Sequence, residues 1–515
     1  MSSTFYGLEI AKSGLYATQK AMEVIGNNIA NADTDGYSRQ RLGLSSVSNN
    51  PSASTWVSTE VHAGSGVSID GVQQIRSEYY DKQYRTQKST LSDLSTRSSL
   101  ASSVETILKA TSSSGAQTVL QKFYNDIQTL SGSADSFSIR TLVRSDAESV
   151  CTTMKYYSDQ LVALQDSQDD SINITVSQIN DLVDQVSSLN DQIATCNRTN
   201  ANPNDLLDKR NLALDNLSSL VDISYSEGEN GAVSIYMGAN KTDATLKDNY
   251  CLLDGDTGTA YKLVSTQDKS NYYGTNTTAY HNVALTSKTG TKISVNGDSL
   301  AGGNLKGYFD NRDGDSEDNT GIAYTLSQLD TLVRGVVSAY NKVNSTGYGI
   351  PNDENGNVST TGINFFDDQA GDLTKVNASN MAVSDAIKQS VYNIAASSKK
   401  VDLTATNTQQ SNNENAMLLV GVATATDLDT IGSIDKYLQS VISNIAVASN
   451  HYSNLLDNQQ TIVNSITTNR KSVSGVSTDE ETTNILATQK SYAAVCHVIS
   501  VLNDMFDTLL SMVNN

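Results

Sequence analysis

Proline is the scarcest structural punctuation in this 515-residue chain: Pro51, Pro203 and Pro351 are the only three, where a share of about 5% is usual. Proline breaks helix interiors, so its near absence leaves long uninterrupted helices open. Apolar side chains are also short, at 38%, with 6% aromatic residues and a single Trp, against about 45 to 50% apolar in ordinary globular chains. One deep-cored globule is not expected, although the length allows roughly three or four domains. Basic residues are outnumbered: 35 Lys and Arg face 56 Asp and Glu, a formal net charge of −21. Such a surface repels nucleic-acid phosphates and anionic lipid, which removes nucleic acid and membrane surfaces as main partners. The four cysteines, Cys151, Cys196, Cys251 and Cys496, lack the short spacing of zinc or redox motifs and read as unpaired thiols. No basic start with an apolar run opens the chain, and no run of about 18 apolar residues occurs. Neither a cleaved signal peptide nor membrane insertion is expected, so a secreted chain would need another export route.

Catalytic chemistry is missing as well. His62, His281, His451 and His497 fall in separate segments, and none has the i, i+4 partner of a zinc peptidase motif. His497 takes an outer heptad position and should face solvent. Gly64-Ser65-Gly66 reads as a turn, since it lacks the third glycine and following helix of a phosphate loop. Asn31-x-Asp33-x-Asp35-Gly36 opens like a calcium loop, but its twelfth position is Leu42, where a bidentate Glu is needed. The acids Asp169 and Asp170, and Asp479 to Glu481, read as solvated charge or helix-dipole complements. The expectation is no enzyme, no catalytic residue, no cofactor and no metal.

What the chain does have is periodicity at both ends. Leu8, Ala11, Leu15, Thr18, Met22, Ile25, Ile29 and Ala32 alternate at spacings of three and four, a heptad seam. Ile485, Thr488, Tyr492, Val495, Ile499, Leu502, Phe506, Leu509 and Val513 repeat the pattern. A parallel row at Ser491, Val498, Met505 and Met512 makes the C-terminal stripe wider than a two-stranded coil needs. Burying eight large side chains yields about 16 kcal/mol at about 2 each, whereas fixing about 30 residues costs on the order of 30 to 60 kcal/mol. Two arrangements follow: ends that become helical on assembly, or a stable intramolecular coiled coil that joins the termini.

After the first seam comes Asn27-Asn28-Ile29-Ala30-Asn31-Ala32-Asp33-Thr34-Asp35-Gly36-Tyr37-Ser38-Arg39-Gln40, rich in residues that suit a helix end and a tight turn. Before the last seam stands Ser474-Gly475-Val476-Ser477-Thr478-Asp479-Glu480-Glu481, where Ser477 or Thr478 can cap a helix whose acidic first turn favours the dipole. Pro203-Asn204-Asp205-Leu206-Leu207-Asp208-Lys209-Arg210 reads locally as a capped helix start with an Asp205/Lys209 surface pair. Together these blocks resemble the family of flagellar rod, hook and hook-associated proteins, most closely its hook-associated members. Asn28, Asn31, Gly36 and Tyr37 fall on the family's turn motif, with Asp35 where Pro is usual and Asn344 where His is common in an inner loop.

The interior fits that frame. Residues 76 to 110, 117 to 131, about 136 to 198 and 206 to 221 read as helices, from about 222 to 300 short alternating runs read as strands, and single helices are expected from about 304 to 345 and 413 to 470. The fold class is mainly α with an inserted β domain: terminal coiled-coil helices, a long helical-bundle domain and an outward β domain. The expected division is 1–50, N-terminal helix and turn; 51–221, long helices; 222–302, β domain; 303–400, return helix and loops; 401–475, second long-helix part; and 476–515, C-terminal helix. The resemblance implies a structural subunit at the hook–filament junction, extracellular, secreted without a cleaved signal peptide through the flagellar type III apparatus. It implies assembly with copies of itself through the two seams and contacts with hook protein and a second junction protein. It further implies a distal cap protein during assembly and an export chaperone at the C-terminal segment. The rivals are a hook, rod or filament subunit, and a secreted enzyme on a flagellar-type frame, which would need a catalytic cluster between residues 222 and 400.

Overall fold

A 63-residue helix, α4 (Phe137–Thr199), is the spine of the molecule; at 1.5 Å per residue it is about 95 Å long. The computed structural model describes residues 6–47, 64, 66–108, 115–199, 201–228, 230–238, 249–268, 279–351, 359–368, 372–406, 409–428 and 431–513. His62 and Pro51 lie outside them. Before the spine come α1 (Tyr6–Ala30), the antiparallel strands β1 (Gln40–Ser46) and β2 (Val67–Gln74), α2 (Glu78–Leu108) and α3 (Ala116–Gly132). After it comes α5 (Asn204–Leu220).

The spine serves two cores in turn because its apolar positions recur every three or four residues along its whole length. Its first half buries Val143, Ala147, Val150, Met154 and Leu161 against α3 and α7 (Ile322–Thr346). At that core's centre the rings of Phe123, Tyr340, Phe365 and Phe366 meet with centroids 4.8 to 6.2 Å apart, within the favourable range for aromatic pairs. The second half buries Ile172, Val176, Ile179, Val183 and Val186 against α5 and the sheets. One sheet runs β3 (Ile223–Glu227), β4 (Val233–Met237), β5 (Cys251–Asp254), β6 (Thr259–Ala260); the other runs β7 (Leu263–Asp268), β8 (Tyr280–Thr286), β9 (Lys292–Val295), all neighbours antiparallel. A short pair, β10 (Phe366–Asp367) and β11 (Ala382–Val383), and α8 (Asp385–Gln389) follow α7.

Two expected single helices are each broken. The first is α6 (Asn304–Asp313) followed by α7, separated at Gly314 and Gly321. A Cβ on Gly314 would lie 2.4 Å from Asp310 O and one on Gly321 2.5 Å from the same atom, so a tight backbone crossing replaces the helix there. The second is α9 (Glu414–Thr424) followed by α10 (Ile434–Ser474). Leu428 N donates to Gly432 O at 2.9 Å, and Gly432 takes φ +64°. Ile431 is thereby tucked against Gly335 of α7, where a Cβ would meet it at 2.5 Å.

Asp169, expected as a solvated acid, is buried at the joint between spine and sheet. Its Oδ1 accepts from Arg312 Nη1 at 2.6 Å and from His281 N at 2.8 Å, and its Oδ2 sits 2.6 Å from His281 Nδ1. Arg312, 1% exposed, also donates to His281 O and to the Asp313 carboxylate. Arg140 is fully buried and donates to the carbonyls of Ala134 and Ile394; burial pushes its guanidinium down to about 10. All four cysteines are free.

The last helices return the chain to its start. α10 packs along α2, and α11 (Thr478–Val513) packs on α1. By length and composition alone, one stretch within Ile434–Met512 is long and apolar enough to cross a membrane, with mean hydropathy 1.3, although polar residues interrupt its apolar run.

Candidate assembly surface at the chain termini

The two seams meet antiparallel. A Cβ on Gly7 would lie 3.6 Å from Leu502 Cδ2 and one on Gly14 3.7 Å from Val495 Cγ2, while Asn28 reaches Glu481. Of the two arrangements open to the seams, the structure holds the intramolecular pair. Ile485, Tyr492, Val495, Ile499, Leu502 and Phe506 are half-buried, facing α1, with exposed residues between them. Leu8, Leu15 and Met22 are half-buried and Ile25 is buried. Ile29 and Leu509 depart from the contact: both are exposed. Ile29 loses the inward face to Asn28, and Leu509 lies about two turns past Leu502, the residue opposite Gly7.

The turn after α1 is built by its own side chains. Asn31 Nδ2 donates to Asn27 O and Oδ1 at 3.0 and 2.7 Å, and Thr34 Oγ1 donates to Asn31 Oδ1. Gly36 takes φ +81°, and a Cβ there would lie 3.2 Å from Leu212 Cβ. Gly36→Ala is expected to destabilise the chain by about 1 to 2 kcal/mol through the left-handed backbone alone, read as a lower thermal midpoint by circular dichroism.

Asn28 is the centre of the site, 1% exposed and with every polar valence used. Its Nδ2 donates to Gln40 O at 2.9 Å and to Glu481 Oε2 at 3.2 Å; its Oδ1 accepts from Gln40 N and Tyr37 Oη, each at 2.9 Å. Burial, with the Asp208 carboxylate near it, pushes the Tyr37 phenol up to about 12, so it remains a donor at neutral pH. Arg39 completes the seal: Nε pairs with Glu481 Oε1 at 2.8 Å, Nη1 with Glu480 Oε2 at 3.0 Å, and its N–H donates to Ser474 O. Glu481 is thus 2% exposed, which corrects its reading as solvated charge. Ser477 Oγ caps α11 by accepting from Glu480 N at 3.4 Å.

The block at 203 to 210 arrives at the same place. Asp208 Oδ2 accepts from Ser38 N at 3.2 Å, and Asn204 bridges to β2 through Val72 O and Gln74 Nε2. Among the described residues no Asp205–Lys209 pair forms; the block's buried ions are Asp208 and Arg210, so the surface-pair reading is corrected. From Asp208 alternating charges run inward: Arg76 to Asp81 at 2.7 Å, Asp81 to Arg470 at 2.6 Å, Arg470 to Asp215 at 2.6 Å, Asp215 to Arg85 at 2.7 Å. This network locks α1's turn to α2, α5 and α10. Sequence reasoning missed it because acids and bases so far apart in the chain carry no spacing signal.

What α11 does not turn toward α1 is left bare. Leu486, Val498, Val501, Met505, Leu510 and Met512 are 46 to 72% exposed, an apolar row beside the seam, in keeping with the wide stripe. No group of three or more His, Cys, Asp or Glu side chains among the described residues is arranged to hold a metal ion.

The family model for the helical domain of flagellar hook-associated protein FlgK matches residues 101–366. Flagellar hook-associated protein 1 of Bacillus subtilis (strain 168) is 30% identical over 521 residues, covering 99% of each chain. The chain belongs to the flagellar hook-associated protein 1 family. The protein of that name from Escherichia coli (strain K12) is 26% identical over 567 residues, covering 98% of each chain. The flagellar hook junction protein FlgK from Burkholderia pseudomallei shares the fold, with a TM-score of 0.59 and 14% identity over 76% of this chain and 100% of that chain. Two further family models, flagella basal body rod protein and the FlgEFG protein C-terminal region, match residues 8–37 and 472–512, the two segments that Asn28 ties together. The FlgK-type protein described here is therefore a structural flagellar subunit with a role at the hook–filament junction. A hook, rod or filament subunit is not favoured, because the rod-type matches are confined to the ends while the FlgK match covers residues 101–366.

Proposed function

We propose that the paired termini are the surface through which copies of this chain assemble into a junction layer. The α1–α11 pair joins neighbouring pairs in a ring of concentric helices, and the β domain faces outward. The observation that carries the reading is the bare apolar row of α11, Val498, Val501 and Met505 among it, on a helix anchored at its base through Asn28 and Glu481. A row of that kind beside water is costly unless another surface covers it. The domains follow the division 1–50 and 476–515 for assembly, 51–221 and 401–475 for the long helices, 222–302 for the β domain and 303–400 for the return.

By kinship the chain is secreted through the type III apparatus without cleavage, held at its C-terminal segment by an export chaperone. It polymerises beneath the distal cap, between hook protein and a second junction protein. It does no catalysis. The cleft of about 850 Å³ near the β domain is lined by Asp298, Asp310, Asp313 and Asp315, with Asp310 held by Arg97 and Lys306 and Asp313 by Arg312. Deletion of the gene is expected to leave cells with hooks and no attached filaments in electron micrographs. Filaments of normal number and length would refute the junction role.

A further inference from the structure

Away from the termini, α3 and α4 bring two carboxyl groups face to face. Asp126 on α3 lies against Asp146 on α4, which is 2% exposed, and Lys122, one turn before Asp126, reaches Asp146 Oδ1 at 2.8 Å. One oxygen of each carboxyl, Asp126 Oδ2 and Asp146 Oδ2, is buried without a hydrogen-bond partner. An orphaned buried acceptor is unfavourable, and two of them on facing carboxyls are both satisfied by a single proton, one oxygen donating and the other accepting. Lys122 offsets one negative charge, not two. We propose that Asp126 and Asp146 share one proton and form a latch across α3 and α4 that acid strengthens.

Among the described residues Lys122 is the one further charge that acts on Asp126. α9, the other helix packed on α3, carries Glu414 as its one ionisable side chain, held by Ser398. On α4 the nearest charged neighbours are turned away: Arg144 donates to Lys388 O and lies near Glu148. Burial, then the Asp146 carboxyl, raises Asp126 to about 6, above the ordinary carboxylate value. The folded-state value is the higher one, so the latch's contribution is fully present below about pH 4 and is lost as pH rises through about 6. Two carboxylates in one site with one pKa raised are the expected result of like-charge repulsion.

The test uses the full chain and Asp126→Asn, whose amide can donate to Asp146 at every pH. The thermal midpoints of the two proteins should coincide near pH 4 and separate above pH 6, with the variant higher by about one to three degrees at pH 7.5. Carbon-13 spectra of aspartate-labelled protein should show a carboxyl titrating near pH 6 that is absent from Asp126→Asn and returns toward about 4 in Asp146→Asn. Parallel midpoints across the pH range, or a carboxyl that titrates near 4 with Asp146 intact, would overturn the proposal.

Discussion

Asn28→Leu is expected to part the two chain ends and to abolish filament attachment. The leucine removes four hydrogen bonds and strands Gln40 N and O beside the Tyr37 hydroxyl in a site that water does not reach. A net loss of about 1 kcal/mol per bond, with the penalty of buried orphan groups, amounts to about 3 to 5 kcal/mol. The loss falls on one place: Asn28, beside the Arg39 ion pairs, bridges the first turn of α11 and the turn after α1. Hydrogen exchange over residues 478–492 of the full chain should accelerate, and cells carrying the variant should shed filaments while the helical core melts as before. Ile29→Ala, one residue on but exposed, should stay within about 0.5 kcal/mol of the parent. Unchanged exchange in Asn28→Leu would show that the seam and the Arg39 ion pairs hold the ends together without it.

Arg312→Met should loosen the β domain from the spine. The guanidinium lies between Asp169 and Asp313 and holds His281 O as well, with 1% exposure. Removing one partner of a buried pair leaves an uncompensated charge, and the cost is about 3 to 5 kcal/mol. Replacing both, as Arg312→Met with Asp169→Leu, should recover part of it, since the two charges leave together while His281 N and Nδ1 lose their acceptor. Because the spine serves two cores, urea unfolding of Arg312→Met should split into two transitions, the earlier one carrying the strand signal. One transition with an unshifted midpoint would mean that Asp169 is satisfied by His281 alone.

The long helices could be read from the chain because their cause is local: scarce proline and apolar residues at spacings of three and four dictate α4 and the seam faces of α1 and α11. The breaks at Gly314 to Gly321 and near Gly432 were not readable in the same way. Between Gly314 and Gly321 the chain carries no apolar residue, a stop signal of composition rather than of period, while near Gly432 Leu428 and Ile431 keep the apolar spacing and the packing of Ile431 on the distant Gly335 fixes the turn. Acids were misread for a related reason. Asp169 and Glu481 look solvated beside their neighbours in sequence, and only folding delivers Arg312 and Arg39 to them.

The sequence by itself therefore determined where the long helices run, which face of each is apolar, and, through three separated blocks, the family. Only the tertiary structure decided that those blocks converge on Asn28, because hydrogen bonds and ion pairs act over a few ångströms and leave no period in the chain. The apolar row of α11 belongs to both: its spacing is written in the residues, and its exposure follows from α1 covering just one side.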